Sequence, residues 1–386
     1  MTTFRYLTAG ESHGRQLTAI VEGCPAGLAL DAASIDADLA RRQLGYGRGA
    51  RQQIERDRAT ILSGVRYGRT TGAPIALSIA NRDAPTWLAT LAVEATSAPA
   101  EPVRVPRPGH ADLPGAQLYG AHDLRDVIER ASARETAARV ACGAVARLLL
   151  GLFGCVVRSH VVAVGDVTAD VAPASPAAFE GVDADPLRCL DGAVSGDMRA
   201  AIAAAGQRGD TLGGVFEVVA FGFPPGVGSY AQADRRLGAR LAAALFGIPA
   251  IKGVEVGLGF AGARLPGSQV HDEIVWSDDS GYGRASNNAG GVEGGISTGL
   301  PIVLRVAMKP LATLMSPLRS VRLGSHEVVE AHVERSDVCA VPAAAVVGEA
   351  VVALCLATAA LERFGGETAA ELTAAVAAFR EGLRRL

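Results

Sequence analysis

The chain is nearly devoid of lysine: of its 37 basic residues only Lys252 and Lys309 are lysines, and the rest are arginines. It also lacks the short signatures of several enzyme classes. No G-x-x-x-x-G-K-[ST] occurs, which excludes a P-loop, so any phosphate-bearing cofactor is held by other means. H-E-x-x-H does not occur, which removes the zinc-protease helix. The six cysteines (Cys24, Cys142, Cys155, Cys189, Cys339 and Cys355) form no C-x-x-C pair. A metal site is therefore not expected, and the count is low for a disulfide scaffold. Cys142 and Cys355 sit in apolar company and read as core thiols of a reducing cytoplasm. No eighteen apolar residues run together without a charge or a Gly-rich break, so no membrane span is expected. The opening MTTFRYLTAGESHG has neither the apolar core nor the basic flank of a secretory leader. A net charge of −3 lacks the basic excess of a nucleic-acid binder.

What is present is enough for a sizeable core. The 386 residues are 49% hydrophobic and 20% charged, which excludes general disorder and fits two or three domains or one large one. The preference for arginine, like the abundance of alanine, is accounted for by genomic base composition alone. Helices are expected over 31–43, with Asp31 and Ser34 as caps, and over 123–150, 231–246, 342–364 and 367–385. Pro342 suits a first helical turn, and Gly365 a stop. Alternation and β-branched content predict strands over 156–164, 214–222, 252–260 and 301–308. Strands and helices mix without a βαβ rhythm, so the fold class is α+β rather than doubly wound. The polar, turn-rich segment 165–210 is the candidate boundary or insertion.

Six constellations carry chemistry. Arg41, Arg42, Arg48, Arg51, Arg56 and Arg58 crowd a glycine-broken segment and offer planar forks to a carboxylate or phosphate; a solvated surface loop is the plainer account. In 103–120, three prolines stiffen a loop that presents His110 beside Arg107, either as a proton donor or as a hydrogen-bonded surface residue. Arg130 and Arg134, four apart on a helix, would share one face, and Glu129 and Glu135 could neutralise them. SNNAGGVEGGISTG at 286–299 lets backbone approach a flat or phosphorylated ligand. Arg335 and Asp337 stand before a helix N-terminus, where an anion or a plain cap is favoured. His13 lies in GESHG, among small neighbours.

Taken together, these segments resemble chorismate synthase, the shikimate-pathway enzyme. The matching stretches are GESHG at 10–14, RRQLGYGRGARQQIE at 41–55, RPGHADLPG at 107–115, RASARETAARVACG at 130–143, IPAIKGVEVG at 248–257, SNNAGGVEGGISTG at 286–299, MKP at 308–310 and RSDVCAVPAA at 335–344. They run in family order over nearly the whole chain. The resemblance implies a single large domain of β–α–β sandwich form, assembled as a homotetramer. It implies the 1,4-anti elimination of phosphate from 5-enolpyruvylshikimate 3-phosphate, with reduced FMN required although there is no net redox change, and NADPH as a possible flavin reductant. A catalytically inactive paralogue that binds a polyanion or flavin is the alternative.

The same resemblance distributes roles. His13 would protonate the leaving phosphate, His110 would balance the charge of the reduced flavin near N1, and Asp337 would act at flavin N5. Arg42, Arg48, Arg51, Arg107, Arg134 and Arg335 match substrate-facing positions, with Arg42 and Arg48 also the positions for any NADP contact. Flavin contacts carry over to Arg130, Ala131, Ser132, Pro249, Ala250, Gly294, Lys309, Pro310, Leu311, Ala312, Thr313 and Arg335. The chain departs from the family where Ala131, Leu311 and Ala312 replace hydroxyl residues; each missing hydroxyl hydrogen bond would cost about 1 kcal/mol. Ser336 and Val338 also stand where His and Pro are common.

Overall fold

The computed structural model describes residues 4–49, 54–278, 281–334 and 336–385. Its strands are Arg5–Ala9 (β1), Gln16–Glu22 (β2), Ala59–Ile61 (β3), Ile75–Ala80 (β4), Val156–Val164 (β5), Val167–Thr168 (β6), Gly214–Phe221 (β7), Ile251–Val256 (β8) and Ile302–Met308 (β9), beside several short hairpins. Its longer helices are Ala32–Gln43 (α1), Asp112–Tyr119 (α2), Arg125–Ala131 (α3), Thr136–Gly151 (α4), Gly192–Gln207 (α5), Leu237–Phe246 (α6), Val341–Phe364 (α7) and Ala369–Leu383 (α8).

Two antiparallel sheets enclose a helical layer, the β–α–β sandwich that the resemblance implied. The first sheet runs β1-β2-β4-β3 and the second β8-β9-β7-β5-β6. Alternation sets the register of the first: Leu17 faces Ile79, Ala19 faces Leu77 and Val21 faces Ile75, all buried. In the second, Leu304 opposite Val218 and Val306 opposite Phe216 do the same. Between the sheets, α4 packs on β2 and α7 on β5 and β7, and the two helices pack on each other.

Two glycines set those separations. A Cβ on Gly143 would lie 2.4 Å from the Cβ of Ala350, and one on Gly348 would lie 2.6 Å from the Phe216 ring. Any side chain would push α4 from α7, or α7 from β7. By length and apolar composition α7 would cross a membrane, but 89% of its apolar window is buried inside the fold. It is the core helix of the sandwich, and its one charge in that stretch, Glu349, is buried too.

The expected helix over 123–150 is broken. Helix α3 ends at Ala131, Ser132 takes an extended backbone (ψ 142°), and its side chain accepts from Arg134 N to start a short 3-10 turn before α4. Arg130 and Arg134 therefore leave the chain in different directions, and the shared helical face does not form. The helix expected from 231 begins at Leu237, after a 3-10 turn. The strand expected to reach 260 stops at Val256, because Gly257 turns with φ +59° against the backbone of Asn288. Within 103–120, the stiff loop gives way to α2 at Asp112. The segment 165–210 contains α5, whose Met198 and Ile202 join the main core. All six cysteines are free, and burial pushes the Cys142 thiol up to about 12.

Glu349 ties the layers. Arg41 grips it with both arms at 2.8 Å, Ser159 of β5 donates at 2.7 Å and Arg188 at 3.1 Å, and Arg147 of α4 stands 3.5 Å away. Burial alone would raise the carboxyl pKa, but Arg41, Arg147 and Arg188 outweigh it and hold it at about 2. A depressed carboxylate stabilises the fold above its unfolded pKa and loses that contribution as pH falls through the folded value. For Glu349 the window runs from 4.5 down to about 2. Glu349→Gln should cost about 3–5 kcal/mol at pH 7, since it leaves buried arginines uncompensated. The variant should also show a flatter loss of stability over the acid window, measured by urea unfolding against pH.

Candidate active site

Three side-chain clusters, each centred on a buried carboxylate, gather most of the expected residues. In the first, Asp57 accepts from Arg42 at 2.7 Å and from Arg134 at 2.5 Å, while Asn81 accepts from Arg134 at 2.8 Å. Burial would raise Asp57's pKa, but the two guanidiniums hold it below the usual carboxylate range. Burial lowers Arg42's, and although Asp57 works against this, Arg134 and Arg48 add repulsion and the net shift is downward. Arg48 itself meets Asp337 at 3.3 Å, and Asp337 also accepts from the Gly49 N–H at 2.6 Å. Three N–H groups of this cluster, Arg42 Nε, Arg48 Nε and Arg134 Nη2, are buried with no hydrogen-bond partner among the described residues. Glu55 lies 3.8 Å from Arg134 Nη2, an ion-pair distance rather than a hydrogen bond.

The arginines singled out in sequence divide here. In 55–58, Glu55 and Asp57 point inward, while Arg56 and Arg58 face solvent; Arg58 pairs with Asp36 on the surface. Arg41, next to Arg42, serves Glu349. Arg51 and Arg335 lie outside the described residues.

The second cluster forms where the proline loop runs into α2. Asp112 is fully buried and accepts from Arg107 Nε at 2.8 Å, Arg107 Nη2 at 3.0 Å and the Arg107 backbone at 3.0 Å. His110 Nδ1 lies 2.5 Å from the same carboxylate. That contact assigns the Nδ1 proton to Asp112 and leaves Nε2 free. Asp112 would be raised by burial, yet His110 and Arg107 hold it far below the carboxylate range. Arg107 also donates to Thr313 at 3.0 Å. Arg107 thus belongs with His110 and Thr313, and among the described residues no hydrogen bond or ion pair joins it to Arg42 or Arg134.

The third cluster surrounds His13, which follows β1. Its Nδ1 lies 2.9 Å from Glu129 Oε1, and its backbone N–H donates to Glu129 Oε2 at 2.8 Å. The imidazole stacks on Trp87 with centroids 4.1 Å apart. Ser12 donates to Ser132 at 3.0 Å, so the break after α3 is what brings this loop to the His13 loop.

Between the second and third clusters lies a cavity of about 480 Å³, lined by Arg130, Ala131, Ser132, Pro249, Ala250 and Lys309 together with Gly109, Arg139 and Lys252 among others. The volume is that of a small-molecule site. Both lysines of the chain face it. Lys309 donates to Gly109 O at 2.9 Å, and its pKa is lowered by burial and by Lys252. Arg130 is spent on the carbonyls of Gly10 and Thr8 at 3.0 and 2.9 Å. Leu311 packs on the main core, which is why an apolar residue is tolerated there. Pro310, Leu311, Ala312 and Thr313 do not line the cavity, although Ala312 borders Gly109. Gly294 does not line it either; it turns a short hairpin with φ +59°, facing open space. Gly290 and Gly291 abut the backbones of Gly257 and Pro301, so these two glycines of the loop serve chain packing.

Sequence reasoning named neither Asp57 nor Asp112, although both lie in segments it singled out. Glu129 and Glu135 were read there as neutralising Arg130 and Arg134; instead Glu129 meets His13 and Arg125, and Glu135 meets Arg139. Trp87 carried no signal.

The chorismate synthase family matches residues 4–361. Chorismate synthase 1 of Bacillus cereus is 54% identical over 368 residues, covering 94% of each chain. The chorismate synthase of Trichlorobacter lovleyi is 55% identical over 377 residues, covering 95% of this chain and 96% of its own. A solved crystal structure of chorismate synthase is similar with a TM-score of 0.82 and 43% identity, covering 100% of this chain and 99% of that one. These relatives lend no support to an inactive binding paralogue. Confirmed by family, fold and motif order, this chain belongs to the chorismate synthase family of carbon–oxygen lyases.

Proposed function

We propose that the protein eliminates phosphate from 5-enolpyruvylshikimate 3-phosphate in the 1,4-anti sense to give chorismate, with reduced FMN in the 480 Å³ cavity. The observation that carries this reading is the set of unpartnered buried N–H groups on Arg42, Arg48 and Arg134. Buried guanidinium N–H groups without acceptors are costly, and an anion rich in oxygens relieves them. The substrate offers a phosphate and two carboxylates. Arg51 and Arg335 join this set by their motif positions.

The cavity suits a flavin mononucleotide: it has cations at Lys252, Lys309 and Arg139 and apolar wall at Ile248, Pro249, Ala250 and Ala131. Arg130, Ser132, Pro249, Ala250 and Lys309 would hold the group, with Gly294, Pro310, Leu311, Ala312, Thr313 and Arg335 assigned through their motifs. The chemistry a reduced flavin would supply when bound is transient electron donation with no net redox change. The chain's own groups supply the rest. Arginines fix the substrate and stabilise charge on the departing phosphate. His13 delivers a proton to it, and Ser12 and Ser132 border that ring's loop. His110, with its Nδ1 proton held by Asp112, presents Nε2 to balance negative charge on the reduced ring. Asp337, held by Arg48 and the Gly49 N–H, takes up the proton lost from the substrate ring. The chain acts as one domain in the cytoplasm and assembles as a homotetramer. Exposed apolar side chains of Phe260, Ile274, Trp276 and Tyr282 support the assembly. NADPH as flavin reductant would be held at Arg42 and Arg48.

An anaerobic assay with the substrate and reduced FMN should yield chorismate and phosphate in equal amounts; no product would sink the proposal. His13→Ala should slow turnover about 10²–10⁴-fold, the range for loss of a general acid, while the bound-flavin spectrum persists. His110→Ala should shift the reduced-flavin spectrum and its pH dependence, read by anaerobic titration.

A further inference from the structure

We infer that Glu129 is the positioning residue for His13, fixing the Nδ1 proton and leaving Nε2 as the working nitrogen. The assignment concerns His13's proton donation and so rests on the function proposed above.

The geometry is that of a histidine backed by a buried acid. Glu129's side chain is 1% exposed. Both of its oxygens lie within reach of His13 Nδ1, at 2.9 and 3.1 Å, and the His13 backbone N–H locks the carboxylate in place at 2.8 Å. A carboxylate accepts but cannot donate, so Nδ1 carries the proton and Nε2 is left as the working nitrogen. Trp87 covers one face of the ring and limits its rotation.

The surrounding charges form a short chain. Arg125 lies over the other end of the pair, with its guanidinium 5.1 Å from the Trp87 ring and 3.3 Å from Glu129. Its 3.0 Å bond to Glu334 draws it away from Glu129, and Glu334 in turn meets His332 at 2.9 Å. Arg125 opposes a charged His13, while Glu334 offsets Arg125. Burial would raise Glu129, yet His13 and Arg125 hold it below the usual range. Glu129 therefore remains an anion beside the ring through the working pH range. The chain also joins the His13 pocket to the segment that leads into Asp337.

Tryptophan fluorescence gives a readout independent of flavin and turnover. The chain has two tryptophans, and a stacked imidazolium quenches indole emission far more than a neutral ring does. In a Trp276→Phe background, Trp87 emission is titrated with pH, and the transition is taken as the difference from the same protein carrying His13→Gln. Glu129→Gln should move the midpoint down by about one pH unit or more, the effect of losing an adjacent opposite charge. Glu129→Asp, which keeps the charge, should restore part of the shift. An unchanged midpoint in Glu129→Gln overturns the inference, whatever the variant's stability. In turnover, Glu129→Gln should lower kcat about 10²-fold with KM little changed, and the alkaline limb of the pH profile should move to lower pH. A shifted fluorescence midpoint with an unaltered kcat profile would uphold the positioning by Glu129 and overturn the proton-donor role of His13.

Discussion

A carboxylate in the middle of an apolar helix stays ionised only if cations reach it from the neighbouring elements, and Glu349 draws on three of them. Arg41 comes from α1, Arg147 from α4 and Arg188 from the loop before α5, while Ser159 reaches in from β5. Removing these charges from water costs several kcal/mol per ion, so the arrangement holds only with its geometry complete. That demand fixes the end of α1 against the sandwich. Arg41 and Arg42 are neighbours there, and anchoring the first sends the second towards Asp57. The Glu349 network and the Asp57 cluster thus share one helical turn.

The same device recurs at smaller scale. Asp57 holds Arg42 and Arg134, Asp112 holds Arg107 and His110, and Glu129 holds His13. Each acid is buried, and each consumes part of its partner's hydrogen-bonding capacity while leaving part facing the site. Groups held in this way need little reorganisation when charge develops on a substrate. Packing supports the acids in turn: Ala116, Leu124 and Ile128 form a small apolar cluster that fixes α2 to α3, and with them Asp112 and Glu129.

Much of this was legible in the sequence. The motifs at 10–14, 41–55, 107–115 and 130–143 brought forward His13, Arg42, His110 and Arg134 because those residue types suit a multiply charged substrate. The end helices were legible from Pro342, Gly365 and the apolar content. The first sheet escaped notice, although Leu17, Ala19 and Val21 and then Ile75, Leu77 and Ile79 alternate; those runs are short and lie beside glycine-rich loops. Sequence spacing misled at Arg130 and Arg134, since one residue in extended backbone at Ser132 cancels the helical period. The burial of the acids was illegible because a surface Asp or Glu and a buried one look alike until the chain is folded.

The near absence of lysine illustrates the division. Sequence alone determined that arginine dominates, that the motifs lie in family order and that no P-loop or zinc helix serves the chemistry, because these are properties of residue type and spacing. Tertiary structure decided which arginines matter. Arg56 and Arg58 face water, Arg41 serves the core, and Arg42, Arg48 and Arg134 keep unpartnered N–H groups at the site. It also brought Lys252 and Lys309, far apart in sequence, to one cavity. The reason is that burial and hydrogen-bond satisfaction depend on neighbours from other layers, and no local pattern encodes them.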